Sequence, residues 1–302
     1  MDTKNTAVLR IVATIQDLCN EAKVDESVRT GPAAKYPDSL IVVILILKNL
    51  FGSNSERSFM RYLELHHSDV FSVLPERSWF NRKAKKLAYV QRSVHHLLLQ
   101  KLEADRIEIR IVDTTPVPVV KIYRANRCTT FGKKTEVNFG YCASKDMYYY
   151  GQKLTLLVTP QGVPTEHILT PANFHDLKAL KTNLSRISHD IKKKKLVADK
   201  GYYDGDLEVT LKRRFQATLI VPEKKRHQKK NTEKEKGLLK RRNIVESVNQ
   251  QLQDQMSIDE TRAKSNLGLQ SRIQSSILSF TFGIYYNTLF NRPPLAIKSI
   301  LT

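Results

Sequence analysis

The chain reads as an all-helical N-terminal region over residues 1–104 leading into an α/β domain over 105–292, with a C-terminal tail at 293–302. Apolar residues keep helical spacing up to about residue 104, and the period drops to two at Arg106. Strand-like and helix-like stretches alternate from there on. A length of 302 residues suits two domains, and 41% hydrophobic residues suffice for a sizeable core, which excludes wholesale disorder.

In the helical region Leu9, Val12, Ile15 and Leu18 share one helical face. Asp38 and Ser39 after Pro37 signal the start of a helix through Leu40 to Phe51, stopped by Gly52. A further helix follows Ser55, and Pro75 centres a break at 72–76. Ser78 is expected to cap a helix through Leu87, and the last helix covers Val90 to Leu102. In the second region Ile107, Ile109 and Ile111 alternate with Glu108 and Arg110, which predicts a strand. Two β-rich runs between Tyr148 and Leu169 flank Thr159-Pro160-Gln161-Gly162, a turn sequence. Asp176 to Ile187 reads as helix, Leu196 to Ala198 and Leu219 to Val221 as short strands, and Leu238 to Met256 as helix. An aromatic helix from Ile277 to Phe290 closes at Pro293-Pro294.

Fifty Lys and Arg against thirty Asp and Glu leave a net charge of +20, which calls for an anionic partner, nucleic acid or a membrane surface. The longest unbroken apolar run, Leu40 to Leu47, is far short of the ~20 residues of a membrane span, so nucleic acid is the expected partner. Cys19, Cys128 and Cys142 are odd in number and form no CxxC pair, which argues against a disulfide scaffold or zinc ribbon and fits a reducing cytosol. The segment Glu223 to Lys236, EKKRHQKKNTEKEK, reads either as a solvated loop or as a basic contact to phosphate.

Three carboxylates carry the functional reading. Period two puts Asp113 on the face of Ile107, Ile109 and Ile111, where an unpaired carboxylate is expensive to bury. By itself Asp113 also reads as a turn cap before Thr114-Thr115-Pro116. Asp199 follows the apolar Leu196-Val197-Ala198, and sites in open α/β sheets lie at the carboxyl ends of strands. Glu246 sits off the packed face marked by Ile244, Val248 and Leu252, beside Arg242, Asn243, Asn249, Gln250 and Gln253. It reads either as a surface Glu bonded to Arg242 or as part of a face suited to phosphate and metal-bound water.

Four blocks in order resemble the DDE transposases of prokaryotic insertion sequences, most closely the insertion sequence 982 group. They are Ile111-Val112-Asp113-Thr114-Thr115-Pro116-Val117-Pro118, Leu169-Thr170-Pro171-Ala172-Asn173-Phe174-His175-Asp176, Val197-Ala198-Asp199-Lys200-Gly201-Tyr202, and Arg242-Asn243-Ile244-Val245-Glu246-Ser247-Val248-Asn249. The resemblance covers Asp113 to about Asn291. It implies a ribonuclease-H-like mixed-sheet catalytic domain in which Asp113, Asp199 and Glu246 hold two Mg²⁺ ions, with Mn²⁺ able to substitute. It also implies cleavage and strand transfer at element ends, double-stranded DNA as partner, a homodimer on DNA, and a cytoplasmic, nucleoid-associated place in the cell. Related transposases carry Tyr-x2-Arg-x3-Glu-x6-Lys around the glutamate. Here Arg242 and Glu246 match, Leu239 replaces the Tyr, and Gln253 replaces the Lys. Lys240 or Arg241 would then take over the gripping of the DNA end, with Arg242 and Lys200 as further DNA contacts.

In the helical region Arg82, Lys83, Lys85 and Lys86 form a basic helix after a short turn, a helix-turn-helix-like arrangement or else a basic face on a partner surface. His66-His67 and His95-His96 are adjacent pairs on helices and poor metal ligands. His175 beside Asp176 reads either as a group approaching the site or, with Asp176, as a helix start, and Asp190 and Asp206 read as surface acids. No Gly-x-Ser-x-Gly or Gly-rich phosphate loop is present. A nuclease of the same fold without strand transfer and a co-opted transposase that only binds DNA are the competing readings.

Overall fold

The computed structural model describes residues 3–26, 35–129, 131, 136–223 and 230–301. Five helices come first: α1 (Thr3–Glu21), α2 (Asp38–Leu50), α3 (Glu56–His66), α4 (Arg77–Lys86) and α5 (Ala88–Lys101). The cap of α4 is Glu76, whose carboxylate accepts from the amides of Ser78 and Trp79, and not Ser78. Residues 67–76 separate α3 from α4. That is longer than the 3–4 residue turn of a helix-turn-helix, so the expected motif is not formed.

Then come strands β1 (Ile109–Val120), β2 (Asn138–Cys142), β3 (Met147–Val158) and β4 (Pro164–Pro171), and helices α6 (Asp176–Lys181) and α7 (Ser188–Ile191). Strand β5 (Lys195–Val197), helix α8 (Gly205–Thr210) and strand β6 (Thr218–Ile220) follow, and helices α9 (Glu233–Lys240), α10 (Asn243–Met256) and α11 (Asn266–Leu289) end the list. The expected helix over Asp176 to Ile187 is thus two short helices. The expected helix over Leu238 to Met256 is broken at Arg241 and Arg242, and its first half starts earlier, at a capping box formed by Thr232 and Glu235. Of the basic segment 223–236, residues 224–229 lie outside the described residues.

The six strands form one mixed sheet. β1 pairs antiparallel with β3 and parallel with β5, and β6 runs parallel to β5. The other edge of β3 takes β2 along its first half and β4 along its second. Thr159 to Gly162 closes the β3–β4 hairpin, with the Gly162 amide bonded to the Thr159 carbonyl and Gly162 at φ +83. On one sheet face Val112, Leu157 and Ile168 pack under Leu180, Ile191, Leu207 and Leu211 from α6, α7, α8 and the wider-wound turn at 211–215. β1 does not stop at Asp113 but runs on to Val120, pairing across Thr114, Thr115 and even Pro116.

The chain divides into two units that do not follow the expected boundaries. One is 1–102 together with 252–302, and the other is 103–251. The aromatic helix α11, assigned above to the α/β domain, packs on α2 and α5: Asn49 donates to Ser275 and Ser279, and His95 bonds Thr281. Nor are residues 293–302 a free tail, since Ile297 and Ile300 are buried beside Gly283. Among the described residues no helix is long and apolar enough to cross a membrane. No disulfide joins Cys19, Cys128 and Cys142.

Candidate functional site

The parallel pairing of β1 with β5 sets the site. Ile111 stands opposite Val197, so Asp113 and Asp199 each lie two residues past the same register point. Asp113 is inside β1, opposite Leu156, and therefore neither at a strand end nor a turn cap. Asp199 does lie past the end of β5, where it precedes the short turn at 200–202 and is half-exposed.

Glu246 is brought to these two by α10. Val245, Val248, Leu252 and Met256 are its buried apolar residues, with Asn249 and Gln253 buried beside them rather than lying on the exposed face of Glu246, while Ile244 is only partly covered. Glu246 is exposed on the adjacent side, and Asn249 donates to Asp113 at 3.3 Å. Arg242 joins the group from the break before α10, 3.0 Å from Glu246 and 3.9 Å from Asp199. The bond to Glu246 is the local one expected of a surface pair. Its extension to Asp199 makes Arg242 the positive charge between two of the three carboxylates.

Burial pushes the Asp113 carboxyl up to about 6. The Thr114 amide and Arg242 pull it down, and Asp176 and Glu246 add to the rise. Asp176 was read from sequence only as a helix start. In the structure its carboxylate is held by Lys153 at 2.6 Å, and Lys153 also donates to the Phe174 carbonyl. Burial, followed by the charges of Asp176 and Asp113, raises the phenol of Tyr202 well above its ordinary value. Neither Tyr202 nor Lys153 was singled out from sequence. Tyr202 lies in a quoted block, but nothing in its spacing marks a buried phenol beside acids.

Among the described residues no three His, Cys, Asp or Glu side chains lie close enough together to hold a metal ion. The donor chemistry nevertheless fits a hard divalent cation. Asp113, Asp199 and Glu246 offer only oxygens, the buried Oδ1 of Asn249 has no hydrogen-bond partner, and Asp113 is charged only at a cost that a cation would remove. Arg242 now occupies the position of positive charge.

Of the expected DNA contacts, Lys200, Lys240 and Arg241 are exposed and Arg242 is partly buried within the carboxylate group. Arg82 and Lys86 are exposed on α4, and Lys85 is half-buried. Lys83 is already engaged, 2.8 Å from the buried Asp38. Asp206 is exposed, but Asp190 is not a surface acid. It is buried and bonds the equally buried Arg110 at 2.7 Å and Thr165 at 2.7 Å.

The transposase DDE domain family matches residues 103–266, more than half of the chain and all three carboxylates. The chain belongs to that family. No curated protein and no solved structure matches it.

Proposed function

We propose that the chain is an insertion-sequence transposase that cuts and joins DNA ends through Asp113, Asp199 and Glu246. The observation that carries this is the shared register of Asp113 and Asp199 beside β1 and β5, with Glu246 joined to them through Arg242. The strand order β4-β3-β1-β5-β6, three antiparallel strands then two parallel ones, supports a ribonuclease-H-like domain. The four sequence blocks support the insertion sequence 982 group. Asp113, Asp199 and Glu246 would hold two divalent ions, Mg²⁺ or Mn²⁺, which when bound stabilise the attacking and leaving oxygens of phosphodiester displacement. Asn249 orients Asp113, and Arg242 is placed to turn from the carboxylates to a phosphate oxygen of the DNA end. Lys200, Lys240 and Arg241 supply exposed positive charge around it, and two copies assembled on two ends would complete the reaction.

The test is cleavage of labelled DNA carrying the sequences that flank the gene, beside a gel shift on the same samples. Asp113→Asn, Asp199→Asn and Glu246→Gln should each lose cleavage by orders of magnitude and keep binding, while the exposed control Asp206→Asn stays active. Glu246→Gln cutting at the wild-type rate would refute the triad. Wild type that binds ends without cutting in either metal would favour a binding protein.

A further inference from the structure

The sheet face that carries Asp113 does not end at the candidate site. Pairing puts Asp113 opposite Leu156, Thr115 opposite Leu154 and Val117 opposite Gln152, so these residues share one face. Two-residue steps along β3 place Tyr150 and Tyr148 on that same face. Across the edge, Phe139 pairs with Tyr150 and Tyr141 with Tyr148. Four rings therefore stand side by side on the outer end of the sheet. Ring centroids are 5.0 Å apart in the first pair and 4.9 Å in the second. They are not a core: Tyr148 is 71% exposed, Tyr141 49% and Phe139 44%, while Tyr149, pointing to the opposite face, is buried.

An exposed patch of this kind needs an occupant. The described stretch around it is basic: the turn at 122–127, which packs against β3, and its neighbours carry Lys121, Arg124, Arg127 and Lys145 against Glu136 and Asp146, the latter accepting from the Tyr141 hydroxyl. Exposed aromatic faces within a cationic stretch match unpaired nucleotides, whose bases stack while their phosphates meet the cations. An apolar protein partner would not call for the charge. Tyr150 is six residues along β3 from Leu156, the partner of Asp113, which at ~3.3 Å per residue is ~20 Å along the strand, the reach of a few nucleotides.

We propose that Phe139, Tyr141, Tyr148 and Tyr150 form a stacking platform for unpaired bases of the DNA strand that leads to the Asp113 site. The function in DNA transfer rests on the reading above, but the platform itself is tested separately. The measurement is fluorescence anisotropy of the full chain with a labelled oligothymidylate and with a blunt duplex of equal length. Tyr141→Ala/Tyr148→Ala should weaken oligothymidylate binding roughly tenfold or more, as expected for losing one or two stacked bases, and leave duplex binding nearly unchanged. Tyr141→Phe/Tyr148→Phe should bind as wild type. In Tyr148→Trp the added emission should be quenched by the oligonucleotide, a readout that stands if the alanine variant folds poorly. Asp113→Asn should bind the oligonucleotide normally, so loss of cleavage and loss of the platform are distinguishable. Undiminished binding by the alanine variant with no quenching would overturn the proposal, as would equal loss on duplex and single strand. So would tighter binding of RNA than DNA, or an alanine variant that loses self-association while oligonucleotide binding stays intact.

Discussion

Asp113 is destabilising in its ionised form, because burial raises its carboxyl to about 6 from an ordinary 3.8. A raised acid adds stability below its unfolded pKa and loses that contribution as pH rises through the folded one. Asp113→Asn, unable to ionise, should therefore melt higher than wild type in metal-free buffer at pH 7.5, by on the order of 2 kcal/mol or a few degrees, and the gap should close toward pH 4. Thermal melts in chelator across that range check it, and a variant that melts lower at pH 7.5 would show that the carboxylate is satisfied as an ion. Asp190 is the opposite case. Its partner Arg110 is buried and also donates to the carbonyls of Ala104, Ile107 and Ile109, so Asp190→Ala strands a charge and should cost about 3–5 kcal/mol. Asp206→Asn should stay within about 0.5 kcal/mol, both read from urea unfolding. The contrast also shows what the sequence could convey. Asp113, Asp199 and Glu246 stood out as candidates because each follows or interrupts a patterned apolar run. Arg110 and Asp190 were not, because alternation assigns a polar residue to the outside and cannot see a partner eighty residues away.

Strand β2 escaped the sequence reading because Asn138-Phe139-Gly140-Tyr141-Cys142 is short and interrupted by Gly, which normally weakens a strand. The structure shows why that Gly is tolerated: a Cβ on Gly140 would sit 2.7 Å from the Ala172 carbonyl oxygen. Gly151 in β3 is tighter, since a Cβ there would run into the Val117 carbonyl oxygen of β1. Gly151→Ala should push β3 off β1 near the bulge after Pro118, costing about 1–3 kcal/mol. Amide exchange should quicken in β2 and the start of β3 more than in β5 and β6; uniform change across the sheet would mean the strain is not local. The break between α9 and α10 was equally hidden, since 238–256 reads as unbroken helix. It matters because the break frees Arg242 to face the acids.

At the scale of the molecule, a charge of +20 should make DNA affinity fall steeply with salt, each neutralised phosphate adding ~0.9 to the log–log slope. A titration from low to physiological salt that leaves affinity flat would place the basic surface elsewhere. The change from helical to strand period near residue 104 was plain in the sequence, but the return of the chain to the helical unit after 251 was not. Periodicity describes each helix and says nothing of which neighbour it covers. That return bears on how the protein is made. During synthesis α1 to α5 leave the ribosome with the sides of α2 and α5 that α11 will cover still bare, and the whole segment 103–251 must follow before the covering helix exists. The middle of the chain can therefore fold ahead of its beginning. A chain cut short before residue 266 would carry the candidate carboxylates with the helical unit unfinished, a natural point for chaperone capture or degradation of incomplete copies.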